Sequence, residues 1–113
     1  MYSVRGFILM AWALLSLSGC GPIVGGVQIL NADIALSAAR TAGAEQTALY
    51  EYTAAQQYLQ KAREEHGYSD YWAARIYADI ALELAKKARQ RATAAAQAEQ
   101  PEAPAVAIPG ATP

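Results

Sequence analysis

From Val27 to about Ala98 the apolar residues return at intervals of three and four, and no stretch shows the alternation of a half-buried strand. Projected at about 100° per residue, Val27, Leu30, Ile34 and Ala38 fall on one side of a first helix, with Asp33, Ser37 and Arg40 on the other. Ala48, Tyr52, Ala55, Leu59 and Ala62 form a narrow stripe on a second helix, and His66 extends it. Ala73, Tyr77, Ile80, Ala81, Leu84 and Ala88 form the stripe of a third. Arg91 lands within that stripe, so packing is expected to end near Ala88. Thr41-Ala42-Gly43 and Gly67 are stop signals, because glycine suits the left-handed position after a helix. Ser69 and Asp70 supply an N-cap for the third helix. The pattern therefore predicts helices over 27–42, 46–66 and 69–98. The short link between the last two makes them antiparallel neighbours.

The expected fold class is all-α: a small antiparallel helical hairpin or three-helix bundle spanning 27–98. Its core is thin, since alanine buries little area at about 25 cal/mol per Å². Aromatic residues offset this in part: Tyr52, Tyr58, Tyr68, Tyr71, Trp72 and Tyr77 gather around the turn between the second and third helices. Trp72 and Tyr77 are the expected anchors of the core. Spare apolar surface remains at the ends of the first two helices and suits a partner chain. Residues 99–113 change character, with Pro101, Pro104, Pro109, Gly110 and Pro113, and read as an extended, disordered tail. At about 3.1 Å per residue such a tail reaches roughly 45 Å.

The first thirty residues follow a different rule. Arg5 is the single charge before an uncharged, mostly apolar run from Phe7 to Ser18, the layout of an export signal. Leu17-Ser18-Gly19-Cys20 follows and resembles a bacterial lipobox. The resemblance implies cleavage between Gly19 and Cys20, lipid on the Cys20 sulfur and acylation of the new amino terminus. Cys20 is the only cysteine, so it has no intramolecular disulfide partner. Residues 1–19 are then a signal peptide and 20–26 a lipidated, glycine-rich tether. Gly21 is not the aspartate of the known inner-membrane retention pattern, which favours the outer membrane with the domain facing the periplasm. The other reading is an uncleaved single span, because Phe7 to Leu30 carries no charge and is long enough to cross a bilayer. Gly19, Gly21, Pro22, Gly25 and Gly26 interrupt the second half of that run.

Charge and candidate chemistry add little. A net charge of -1 gives no global field to attract nucleic acid. His66, the sole histidine, follows Glu64 and Glu65; without a second His or a Cys on its face it makes no metal site, and it suits the helix C-terminus as a cation. Ser37 belongs to a solvated face and Ser69 to a cap. No glycine-rich loop precedes a lysine, so no phosphate cradle is expected. Lys86, Lys87, Arg89 and Arg91 cluster late in the third helix but spread around it, and Glu83 and Lys87 form an i,i+4 pair. No catalytic residue, no metal and no cofactor is assigned, and the chain is expected not to be an enzyme.

Three stretches, ALSAARTAGAEQ, AAQQYLQKAREE and GYSDYWAARIYADIALELAKKA, together resemble the small bacterial lipoproteins grouped as DUF4398, a domain of unknown function. The resemblance covers residues 32 to 92 and implies alanine-rich helices, a Gly-Ala joint after the first and a Gly/Tyr turn before the last. It implies export and supplies no activity. Family members often carry Ala-Pro at the start of the second helix; Thr47-Ala48-Leu49 stands here, which leaves that joint either looser or continuous. Gly67-Tyr68 leading to Ala73, Tyr77 and Ala81 also resembles, weakly, one tetratricopeptide repeat, a unit that cannot bury its faces alone. The expectation is a membrane-anchored periplasmic lipoprotein acting as a helical adaptor or cell-envelope structural module. Its partners would be the membrane through Cys20 and an envelope protein, a second copy or peptidoglycan. The alternative is a module that binds a glycan or peptide through Tyr68, Tyr71, Trp72 and Tyr77.

Overall fold

The computed structural model describes residues 2–15 and 20–100. Leu17, Ser18 and Gly19 of the lipobox, and the tail from Pro101 to Pro113, lie outside the described residues. Among those described, every element is helical: α1 Tyr2–Leu15, α2 Cys20–Thr41, α3 Ala44–Thr47, α4 Leu49–Gly67 and α5 Tyr71–Glu99. Among the described residues no other helix is laid along α1, and the molecule is elongated, 96 Å along its longest axis.

α5 is the spine, with α2 and α4 both laid along it and against each other. Two core clusters give the directions. Ala32 of α2 meets Leu59 and Ala81; further on, Ala39 meets Tyr52, Ala88 and Ala92. So α2 runs parallel to α5 and α4 runs antiparallel to both. The chain enters the bundle at Cys20, beside the α4–α5 turn. α5 leaves it at the opposite end.

The seam of α5 is alanine throughout: Ala74, Ala78, Ala81, Ala85, Ala88 and Ala92 are all buried. Their spacing of four and three is a heptad pattern, and small side chains at every seam position let neighbouring helices approach closely. The expected stripe of α5 is therefore displaced. Ala81 and Ala88 belong to it, while Ala73, Tyr77, Ile80 and Leu84 are half-buried flanks. Packing also runs on past Ala88 to Ala92. Arg91 does not end it, because its guanidinium reaches sideways to the buried carboxylate of Glu51 on α4.

On α4 the expected face is the observed one: Tyr52, Ala55, Leu59 and Ala62 are buried. On α2 it is reversed. Val27, Leu30 and Ile34 are 50, 56 and 61% exposed. The packed face is Gly25, Ile29, Ala32, Leu36 and Ala39, of which Gly25, Ala32 and Ala39 are buried and Ile29 and Leu36 half-buried. Both stripes of α2 have helical spacing, and the small residues of the second admit α5 to close range.

The breaks differ in detail from expectation. Gly43 adopts φ 86° after α2, as a left-handed stop should. The second predicted helix is divided at Ala48 (φ −139°, ψ 47°), which sets the short α3 apart from α4. Gly67 remains helical, and Ser69 (φ 65°) takes the left-handed position. The stretch 21–26, expected to be a tether, is helical in α2.

Candidate functional site

The end of the bundle at which the chain enters combines three elements. α4 closes with a Schellman arrangement: Ser69 N–H donates to the His66 carbonyl (3.1 Å) and Asp70 N–H to the Glu65 carbonyl (2.9 Å). Asp70 then caps α5, its Oδ1 accepting from Ala73 N–H at 3.0 Å. One residue thus ends one helix and starts the next, which makes the turn tight.

His66 ties this turn to α2. Its Nε2 lies 3.2 Å from the carbonyl oxygen of Pro22, so this nitrogen carries the proton and donates. The ring meets Tyr71 edge-on, centroids 5.2 Å apart. Gly25 lies directly beneath: a Cβ there would be 3.3 Å from His66 Cδ2 and 3.7 Å from the Tyr71 carbonyl oxygen. This explains the helical tether. Glycine costs about 1 kcal/mol in a helix, but at position 25 it allows the histidine and the turn to close on α2. Sequence reasoning missed Gly25 and Pro22 as partners of His66; the one signal was the phase of His66 on the α4 stripe.

The four aromatic candidates do not converge on one cradle. Tyr68 and Trp72 are 81 and 76% exposed, so Trp72 is not a core anchor. Tyr71 is engaged with His66. Tyr77 stacks on Tyr58, centroids 6.2 Å apart. The aromatic ring of the core is Tyr52, 4% exposed. Ile23 and Val24, beside Pro22, are also exposed.

Charges near this end are largely paired within the bundle. Arg63 reaches Asp33 at 2.9 Å and Arg75 approaches Asp79 at 3.9 Å. Lys61 pairs with Glu65 at 2.7 Å and Glu64 at 3.5 Å. The hydrogen bond to Glu65, then its charge, raises the Lys61 ammonium above the ordinary lysine value. Toward the other end Arg40 bonds Glu45 at 3.0 Å, and Glu45 first, then the Tyr52 hydroxyl, hold its guanidinium above the usual range. Lys86 pairs with Glu83 at 3.0 Å, so Glu83 is engaged one residue earlier than the expected Lys87.

Among the open clefts that flank the helices, two lie between helix pairs. One, ≈ 290 Å³, lies between α2 and α4 and is lined by Asp33, Leu36, Ser37, Arg40, Tyr52 and Gln56. The other, ≈ 480 Å³, lies between α4 and α5 and includes Tyr50, Tyr58, Ile80, Leu84 and Lys87. Among the described residues no three His, Cys, Asp or Glu side chains converge as metal ligands. Pro22–Thr41 is long and apolar enough to cross a membrane by length and composition, and Val4–Ala13 is a shorter apolar helix.

A family model for DUF4398, a domain of unknown function, matches residues 27–104. The chain belongs to this family. The match takes in α2 from Val27 onward and the whole of α3, α4 and α5. No curated protein and no solved structure matches the chain.

Proposed function

We propose that this DUF4398 protein is a lipid-anchored, periplasm-facing adaptor of the cell envelope, held at the outer membrane through Cys20 and acting without catalysis. The observation that carries the adaptor reading is the outward stripe of α2. Ile23, Val27, Leu30 and Ile34 are 67, 50, 56 and 61% exposed, and their spacing of four, three and four puts them on one face. A contiguous apolar face of this kind is what another helix packs against. The lipobox supports the anchoring, and the polarity of the bundle agrees with it. The chain enters at Cys20 and α5 ends far from that point, so an anchored domain would project its length away from the membrane.

Two measurements test the proposal. Radiolabelled palmitate is incorporated by the wild-type protein and lost in Cys20→Ala; persistent labelling of that variant refutes the anchor. A photoreactive residue at position 30 or 34 forms a discrete crosslinked species in intact cells, and Val27→Glu abolishes it. If only lipid or water adducts form at both positions, the adaptor reading fails.

A further inference from the structure

We propose that the α4–α5 turn, with Tyr68 and Trp72 at its tip, is the surface on which the domain seats end-on against the bilayer. The proposal rests on the reading that the chain is tied to the membrane at its N-terminal end. It adds which face of the folded domain meets the lipid.

The contact between His66 and Pro22 carries the inference. Pro22 lies two residues after Cys20, about 3 Å along a helix at about 1.5 Å per residue. Its carbonyl lies 3.2 Å from the His66 ring, and Tyr68 follows His66 by two residues. Any group inserted in lipid at Cys20 therefore brings the turn to within roughly the depth of the headgroup layer, about 10 Å.

The chemistry of the tip suits this position. Tyr68 and Trp72 are among the most exposed large side chains of the bundle, at 81 and 76%. Tryptophan and tyrosine are favoured at the membrane–water boundary, where an apolar ring and a polar tip are both accommodated. Ile23 and Val24, 67 and 45% exposed, add apolar area at the same end. The acidic side chain of the turn itself, Asp70, is turned into the α5 cap, and Glu65 is neutralised by Lys61. Glu64 shares the same Lys61 at 3.5 Å, so three carboxylates here face one ammonium, and the seat is carried by the rings and not by charge.

The test uses the processed protein extracted from membranes and reconstituted in phosphatidylethanolamine–phosphatidylglycerol vesicles. The two tryptophans of the chain are Trp12 and Trp72; Trp12 leaves with residues 1–19 on cleavage, and Trp12→Phe removes it from any uncleaved chain, so Trp72 is the sole reporter. Its emission should shift to the blue on vesicles, lose intensity to lipids brominated near the headgroup and become shielded from aqueous acrylamide. A second variant, Trp12→Phe/Trp72→Phe/Tyr50→Trp, places the reporter at the far end of α4, where Tyr50 is 78% exposed; it should stay accessible to acrylamide and unquenched by lipid. If the protein floats with the vesicles while Trp72 stays unquenched, the anchor stands and the seat is wrong. Quenching at both positions means that the domain lies flat, which also overturns end-on seating. If mass spectrometry finds bare Cys20 but added vesicles still quench Trp72 alone, the seat stands without the lipid.

Discussion

Leu59→Ala separates the packed face of this domain from its outward one. Leu59 is 1% exposed and the largest fully buried side chain among the described residues. It packs with Ala32 and Ala81, flanked by Ile29, Leu36 and Leu82. Deleting its three outer carbons forfeits about 2 kcal/mol of transfer free energy at ~0.8 kcal/mol per methylene. Ala32 and Ala81 have no longer side chain to swing inward, so a void of roughly 50 Å³ would persist and add about 1 kcal/mol at ~24 cal/mol per Å³. The expected loss is about 3 kcal/mol, a large share of the 5–15 kcal/mol typical of a domain. In urea denaturation followed by far-ultraviolet circular dichroism, a slope of about 1 kcal/mol per M converts this to a midpoint shift of roughly 3 M. The control is Leu30→Ala on the outward face, 56% exposed, which should cost less than about 0.5 kcal/mol. Equal shifts, or a larger one for Leu30→Ala, would mean that α2 packs through Val27, Leu30 and Ile34 after all, and the α2–α5 seam described above would be wrong.

Two further substitutions probe the seam and the turns. Ala85→Leu, at a position 0% exposed, should force the helices apart and cost about 3 kcal/mol in the same urea assay, whereas Ala94→Leu on the exposed face leaves the midpoint unchanged. Gly43→Ala should lower the melting temperature, because φ 86° costs an L-residue about 1–2 kcal/mol although the added Cβ meets nothing within 4 Å. Gly67→Ala should raise it by the equivalent of about 0.5–1 kcal/mol, since Gly67 is helical and a Cβ there is also unobstructed. A melting temperature that falls in both glycine variants would place the left-handed residue of the second turn at Gly67 instead of Ser69.

Helical content, the antiparallel α4–α5 pair and the packed face of α4 were legible because each depends on local spacing. α4 carries one apolar stripe, Tyr52 to Ala62, and charge opposite it, so a single phase was available. α2 carries two stripes, offset by two residues. Preference for the larger side chains selected Val27, Leu30 and Ile34, yet the chosen inner face is the one with Gly25, Ala32 and Ala39 buried. That choice is made by α5, whose alanine seam demands a neighbour with equally small residues. The same tertiary cause moved the centre of the α5 stripe, since α5 must present alanine to α2 and α4 together. At the candidate site, Asp70 was legible as a cap from its place before the helix. The link from His66 to Pro22 was not, because 44 residues separate the two and no local pattern joins them. Trp72 was misplaced for a simpler reason: ring size argues for burial, but a seam of alanines has no room for an indole.

That lack of room bears on function as well as on fold. In a domain packed through alanine, a large apolar side chain on α2 or α5 is forced to the flank or the surface, so exposure alone does not mark a partner site. The spacing is what distinguishes the cases. Leu49 and Tyr50 are 62 and 78% exposed at the start of α4, adjacent in sequence, and adjacent residues do not share a helix face. Ile23, Val27, Leu30 and Ile34 share one face over three turns, about 16 Å at 1.5 Å per residue. The inner stripe of the same helix alternates the small residues Gly25, Ala32 and Ala39 with Ile29 and Leu36, whereas the outward one is large and aliphatic at every position. A surface under no demand beyond solubility would let polar residues into that register, and Gln28, Asn31 and Asp33 show that polar residues are accepted on either side of it. The outward stripe is therefore the part of α2 that the bundle itself does not explain, and it is there that a partner should be sought.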